Sequence, residues 1–180
     1  MINGKKDSGS LTLEAAIMVP MFIMLMLMIN GVFVMFMGRQ IMTHTLIQSA
    51  KSLAFDPYSS QRVAANADDQ LAELFTDLFS FVGDGYTSTA TWYEDDYSRL
   101  TNVVEDRYVA YLKENNADAE KLLDQIGIKN GLNGLDFSGT TIENGVLKIE
   151  LKYTQEYIFN VFDFAEFGQE LVVSVKLFEY

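Results

Sequence analysis

Glu14 is the residue of this chain whose type and place most need a chemical explanation. It stands directly before Ala15–Gly38, a stretch of 24 residues without a charge, many of them Met, Ile, Val, Leu or Phe. A carboxylate drawn toward hydrocarbon costs about 2.5–3.5 kcal/mol at a helix centre and less near an interface. No basic residue adjoins it in sequence. Such a group expects a positive partner from elsewhere.

The preceding residues offer one. Met1–Gly9 is a short polar leader carrying Lys5 and Lys6. Were the chain cut after Gly9, Ser10 would bear an α-amino group with a pKa of about 7.7–8.0. Glu14 would then be the fifth residue of the mature chain. This arrangement resembles the prepilin signal of type IV pilins: a short basic leader ending in Gly, a glutamate at the fifth mature position, then an apolar helix. More narrowly, Gly9-Ser10-Leu11-Thr12-Leu13-Glu14-Ala15-Ala16-Ile17-Met18-Val19-Pro20 is similar to the TadE-like branch, the minor pseudopilins of tight-adherence (Tad/Flp) pilus systems. That branch carries an acidic residue, a small-apolar stretch and a proline six residues after the acid, the spacing of Glu14 and Pro20. The resemblance covers residues 4–40 and departs from the best-known type IV pilins at Ser10, where they carry Phe.

The resemblance implies a prepilin peptidase acting between Gly9 and Ser10. It makes Glu14 the residue that sets subunit registration against the new terminus. It implies other pilin subunits, of the same or another kind, and the pilus assembly machinery as partners. No cofactor is implied.

The element that must position these residues is the apolar run itself. It exceeds the roughly 20 residues that cross a bilayer as a helix and could reach about 36 Å. The expectation is a leader over 1–9 and a transmembrane helix over 10–38. Lys5 and Lys6 keep the N-terminus inside the cytoplasmic membrane by the positive-inside tendency, although Arg39 and Lys51 flank the far side. The C-terminal domain then lies outside, and a cell-surface pilus follows from the resemblance. A secretory signal fits poorly, because its apolar core is about 7–15 residues long and ends in a small-residue cleavage site. A plain single-pass anchor explains length and basic flank equally well. It leads to another class of function, a membrane sensor or receptor whose acidic outer domain binds a small ligand.

Inside the run, Pro20 removes a backbone donor and is expected to kink or locally melt the helix. Asn30-Gly31 is a second soft point that permits close approach of a neighbouring helix. The seven Met between residues 18 and 37 suit helix packing and lipid contact; without His or Cys beside them they do not suggest copper.

Beyond Arg39 the pattern Ile41, Leu46, Ile47, Ala50, Leu53–Ala54 predicts a helix extension over 39–56, ended by Asp56-Pro57. The remaining 57–180 read as an extracytoplasmic α+β domain. Ser59 or Ser60 would cap a second helix with Val63, Ala67, Leu71, Leu74 and Leu78 on one face. A weak strand is expected around Ala90–Tyr93. A third helix carries Tyr97, Leu100, Val104, Tyr108 and Tyr111, and Ala117–Ile126 forms a short fourth. Asn144-Gly145 signals a hairpin. Leu147, Ile149, Leu151 and Tyr153 alternate with lysine and glutamate, as do Leu171, Val173, Val175 and Leu177 with Ser174 and Lys176. The fold class is thus α+β: a long N-terminal transmembrane helix, a helical middle and a C-terminal three-stranded antiparallel sheet. The aromatic stretch Tyr157–Phe164 reads as core before subunit contact.

Composition narrows the chemistry. The net charge is −12, all of it after the apolar run, which disfavours nucleic acid and anionic lipid as partners. The chain has no cysteine, so disulfides and thiolate chemistry are excluded. His44 is the single histidine and cannot assemble a metal site or triad alone. Glu94-Asp95-Asp96 lacks the oxygen-rich loop of a calcium site. No phosphate-cradling, zinc-protease or serine-hydrolase motif occurs. No metal site and no enzymatic activity are expected.

Overall fold

A single helix, α1 (Asp7–Asn66), runs for 60 residues, about 90 Å. The computed structural model describes residues 7–66, 77, 92–93, 99–115, 118–157 and 166–178. The second helix foreseen beyond Asn66, the weak strand apart from the turn at Trp92 and Tyr93, the 94–96 cluster and most of the aromatic stretch after Tyr157 lie outside them.

Along α1 the burial pattern changes once. From Thr12 to Asn30 every side chain is exposed; Gly31 is the first buried residue. From Gly38 the buried positions Met42, Thr45, Ser49, Ser52, Asp56 and Ser59 recur at alternating spacings of four and three, which places them on one face. Leu46, Ala50 and Leu53 widen this stripe. Its small hydroxyl residues do not leave donors stranded. Ser49 donates to the Leu46 carbonyl and Ser59 to that of Asp56, each at 3.0 Å.

The domain is built on that stripe. Helix α2 (Leu100–Asn115) turns Leu100, Val104, Arg107, Tyr108 and Leu112 inward. Helix α3 (Ala119–Gln125) is short and capped by Asp118, whose carboxylate accepts the Lys121 amide at 3.1 Å. A 3-10 turn at Gly131–Gly134 follows. The sheet then has the order β1 (Thr141–Glu143), β2 (Val146–Gln155), β3 (Phe167–Lys176), antiparallel throughout. Asn144 (φ 52°) and Gly145 (φ 72°) make the left-handed turn that such a hairpin needs, and Ile142 faces Leu147 as the spacing predicts. Leu147, Ile149, Leu151 and Tyr153 are buried on one face. Lys148, Glu150 and Lys152 line the wet face in a small ion-pair ladder. Past β1, the free edge of β2 is covered by isolated bridges to Asp136 and Ile128.

The helix does not stop at Asp56-Pro57. It carries Pro57 internally and ends at Asn66, so Ser59 and Ser60 are helix residues, not caps of a new one. A residue before proline resists the helical region; here tertiary contacts override that preference. Asp56 is 1 % exposed and paired with Arg107, 2 % exposed, at 2.9 Å. The Phe178 amide donates to the Ala54 carbonyl at 3.1 Å, and the Phe178 ring packs on Phe55 at 5.0 Å.

Asp56 is fully engaged. Arg107 Nη2 and Nη1 reach its two oxygens at 2.9 and 3.3 Å, the Trp92 indole donates at 2.8 Å, and Arg107 also donates to Ser52. Burial pushes the Asp56 carboxyl above its ordinary value, while Arg107 and Trp92 pull the other way. Removing one member of such a pair leaves an uncompensated buried charge. Arg107→Leu should therefore lose about 3–5 kcal/mol. The double change Asp56→Leu with Arg107→Leu should lose less than Arg107→Leu alone. Urea unfolding of the detergent-solubilised chain, followed through the single tryptophan, Trp92, measures both.

Candidate functional site

All four residues singled out by sequence lie on α1. Gly9 and Ser10 fall within its opening turns, because the helix begins at Asp7. Glu14 is one helical turn beyond Ser10, on the same side of the rod, and is exposed. Among the described residues no cation lies within ion-pair distance of it. Pro20 is inside the helix and exposed. It does not melt the helix, which continues on both sides. The Ala16 carbonyl, however, has no amide four residues on to accept.

The apolar run meets the domain at its far end, through contacts that sequence reasoning placed only in outline. Tyr157, just past β2, lays its ring on Gly31 so closely that a Cβ there would overlap it. The Tyr157 hydroxyl donates to the Met28 carbonyl at 2.8 Å. Gln155 Nε2 donates to the Ile126 carbonyl at 2.8 Å and lies 3.5 Å from that of Met35. At Gly38 an added Cβ would sit 2.9 Å from Gln155 Nε2 and 3.1 Å from Ile126 Cβ. Asn30-Gly31 is thus a point of close approach, but where a neighbouring helix was expected, the neighbour within this chain is a tyrosine of its own domain. Gly38 is its partner two turns on. The seven-residue spacing of these glycines on one helical face was the available signal.

The Asp56–Arg107–Trp92 cluster was also missed. Arg107 shares a helix face with Val104 and Tyr108, so a charge stood on a stripe otherwise read as apolar. Closed from solvent and saturated with donors, Asp56 offers nothing to a substrate. The Tyr153 hydroxyl is buried without a hydrogen-bond partner among the described residues, and burial pushes it up to about 12. A cleft of about 430 Å³ opens near Gly134, Asp136, Lys152 and Glu170. Two of its charges are already committed: Lys152 pairs with Glu150 at 2.6 Å, and Asp136 accepts the Ser138 amide at 2.9 Å, which holds its carboxyl low. Among the described residues no group of three His, Cys, Asp or Glu side chains could hold a metal.

Comparison with protein-family models, with curated proteins and with solved structures finds no match.

The grip on α1 is testable at its glycines. Gly31→Leu should expel the Tyr157 ring, and Gly38→Val should displace Gln155. In each variant, amide hydrogen exchange at Gln155–Tyr157 should rise severalfold, while the central β2–β3 ladder keeps its protection.

Proposed function

We propose that this chain is a membrane-anchored, pilin-like subunit of the TadE type. It acts in assembling a Tad-type pilus or pseudopilus after loss of its leader. The observation that carries the reading is the placement of Glu14: an exposed carboxylate, with no cation at hand among the described residues, at the head of a helix whose side chains are exposed as far as Asn30. By length and composition that helix can cross a membrane. The prepilin peptidase cuts between Gly9 and Ser10. The new α-amino group then lies one turn from Glu14, on the same chain, or meets the Glu14 of a neighbouring subunit.

In low dielectric this pair attracts far more strongly than in water, while the loss of hydration offsets part of the gain. Its main effect is on register, since a staggered neighbour would leave a bare carboxylate in hydrocarbon. The acidic domain remains outside, and the chain works as a structural subunit, without an enzymatic role.

Intact mass of the membrane-extracted protein tests processing. Loss of residues 1–9 is expected; a full-length mature chain overturns the proposal and leaves a plain anchor. Glu14→Ala should abolish incorporation into filaments without reducing membrane insertion. Undiminished incorporation removes the role given to Glu14.

A further inference from the structure

We infer that the hydrocarbon layer ends at Gly31, about two turns short of the end of the apolar run, and that Tyr157, Phe33 and Phe36 form a collar in the outer headgroup layer. The inference rests on the membrane-spanning part of the proposed function and adds where the bilayer sits.

The charges fix the boundary. Gln155 meets α1 at Met35 and Gly38, and Tyr157 meets it at Met28 and Gly31. Glu156 lies between these two anchors in sequence, so it stands beside the helix between those levels. Lys129 Nζ is 3.9 Å from Glu156 and pairs with Glu166. All three side chains are 39–55 % exposed. If hydrocarbon covered the whole run to Gly38, this exposed charged group would lie inside it. Charges at that depth are strongly disfavoured unless they face protein or water.

Length agrees with the nearer boundary. Thr12 to Gly31 is 20 residues, about 30 Å of helix, which matches a hydrocarbon layer of about 30 Å. Glu14 then falls close to the inner edge of that layer instead of deep within it. Phe33 and Phe36 stand about 3 and 8 Å beyond Gly31. They are 70 % and 64 % exposed, which is unfavourable in bulk water, while the ring with the polar tip typical of the interface is that of Tyr157. Tyr157 adds to them a ring against the helix and a hydroxyl bonded to its backbone. The ligand is therefore the headgroup and glycerol region of the outer leaflet.

The chain has no cysteine, so single-site labelling is direct. Leu25→Cys and Phe36→Cys, each in the full chain and each carrying an environment-sensitive fluorophore, are reconstituted at low density into phosphatidylethanolamine–phosphatidylglycerol vesicles. The vesicles carry a nitroxide either near the headgroup or near the acyl-chain end. The label at 25 should be quenched more by the deep nitroxide. The label at 36 should be quenched more by the shallow one, with a deep-to-shallow ratio severalfold lower than at 25. A label at 36 as deep as that at 25 overturns the inference, and so does one at 36 that neither nitroxide reaches while 25 is quenched, which would mean that water or a second copy covers this face. Absence of quenching at both positions rejects the membrane span itself.

Discussion

One rod carries two surface patterns. A helix exposed on every side in an apolar medium needs an apolar surface all round, whereas a helix forming one wall of a domain in water needs a single stripe. Helix α1 changes from the first pattern to the second without a break in its backbone. Up to Asn30 its exposed surface is rich in Met, Ile, Leu and Phe. Past Gly38 its buried face is Met, Leu, Ala, Ser and Thr, and the exposed face carries Arg39, Gln40, His44 and Lys51. The domain core is built in part on this same helix: its cluster includes Met42, Leu46, Ala50 and Leu53.

The Asp56–Arg107 pair fixes how the domain sits on that rod. Apolar contacts between α1 and α2 alone would tolerate sliding by a turn, because leucine and alanine recur along both. A bidentate guanidinium, a carboxylate, a serine and an indole have one mutual arrangement. Whether such a pair adds net stability depends on what replaces it, since desolvation opposes attraction. Its position immediately before Pro57 adds a second consequence. The residue that proline most disfavours in a helix is the one held there by three side-chain donors, so the helix passes through Pro57 and brings Ser59 into the buried stripe.

The sheet and the register of its first hairpin could be read from sequence because each rested on a local signal. Asn144-Gly145 supplied the left-handed turn, and strict alternation assigned the faces of β2. The same holds for α2, whose apolar spacing is a short-range feature, and for the short α3. What could not be read depended on contacts distant in sequence. Asp56-Pro57 looked like a terminus, because the counterweight, Arg107, stands 51 residues away. Tyr157 looked like the start of an apolar aromatic stretch, yet its hydroxyl bonds to a helix carbonyl 129 residues earlier. Glu14 was legible as an anomaly from sequence alone; its exposure and its place on α1 now give it geometry, while its partner remains a proposal.

That geometry bears on what the proposed cut would do. Among the described residues α1 runs from Asp7, so in the uncut chain Glu14 lies past the first described turn and Gly9 is already helical. Glycine in a helix costs about 1 kcal/mol relative to alanine, so Gly9 is a locally weak helical position for the proposed cut. Cleavage there makes Ser10 the helix start. Glu14 moves to the end of the first turn, where unpaired N–H groups and the positive pole of the helix favour a carboxylate by about 0.3–1 kcal/mol. The α-amino charge is added at the same end. The proposed hydrolysis would thus change a carboxylate with no cation in reach among the described residues into one near two sources of positive potential. The uncut and cut forms would then differ little in shape and strongly in the electrostatics of one turn, which is the difference an assembling neighbour can sense.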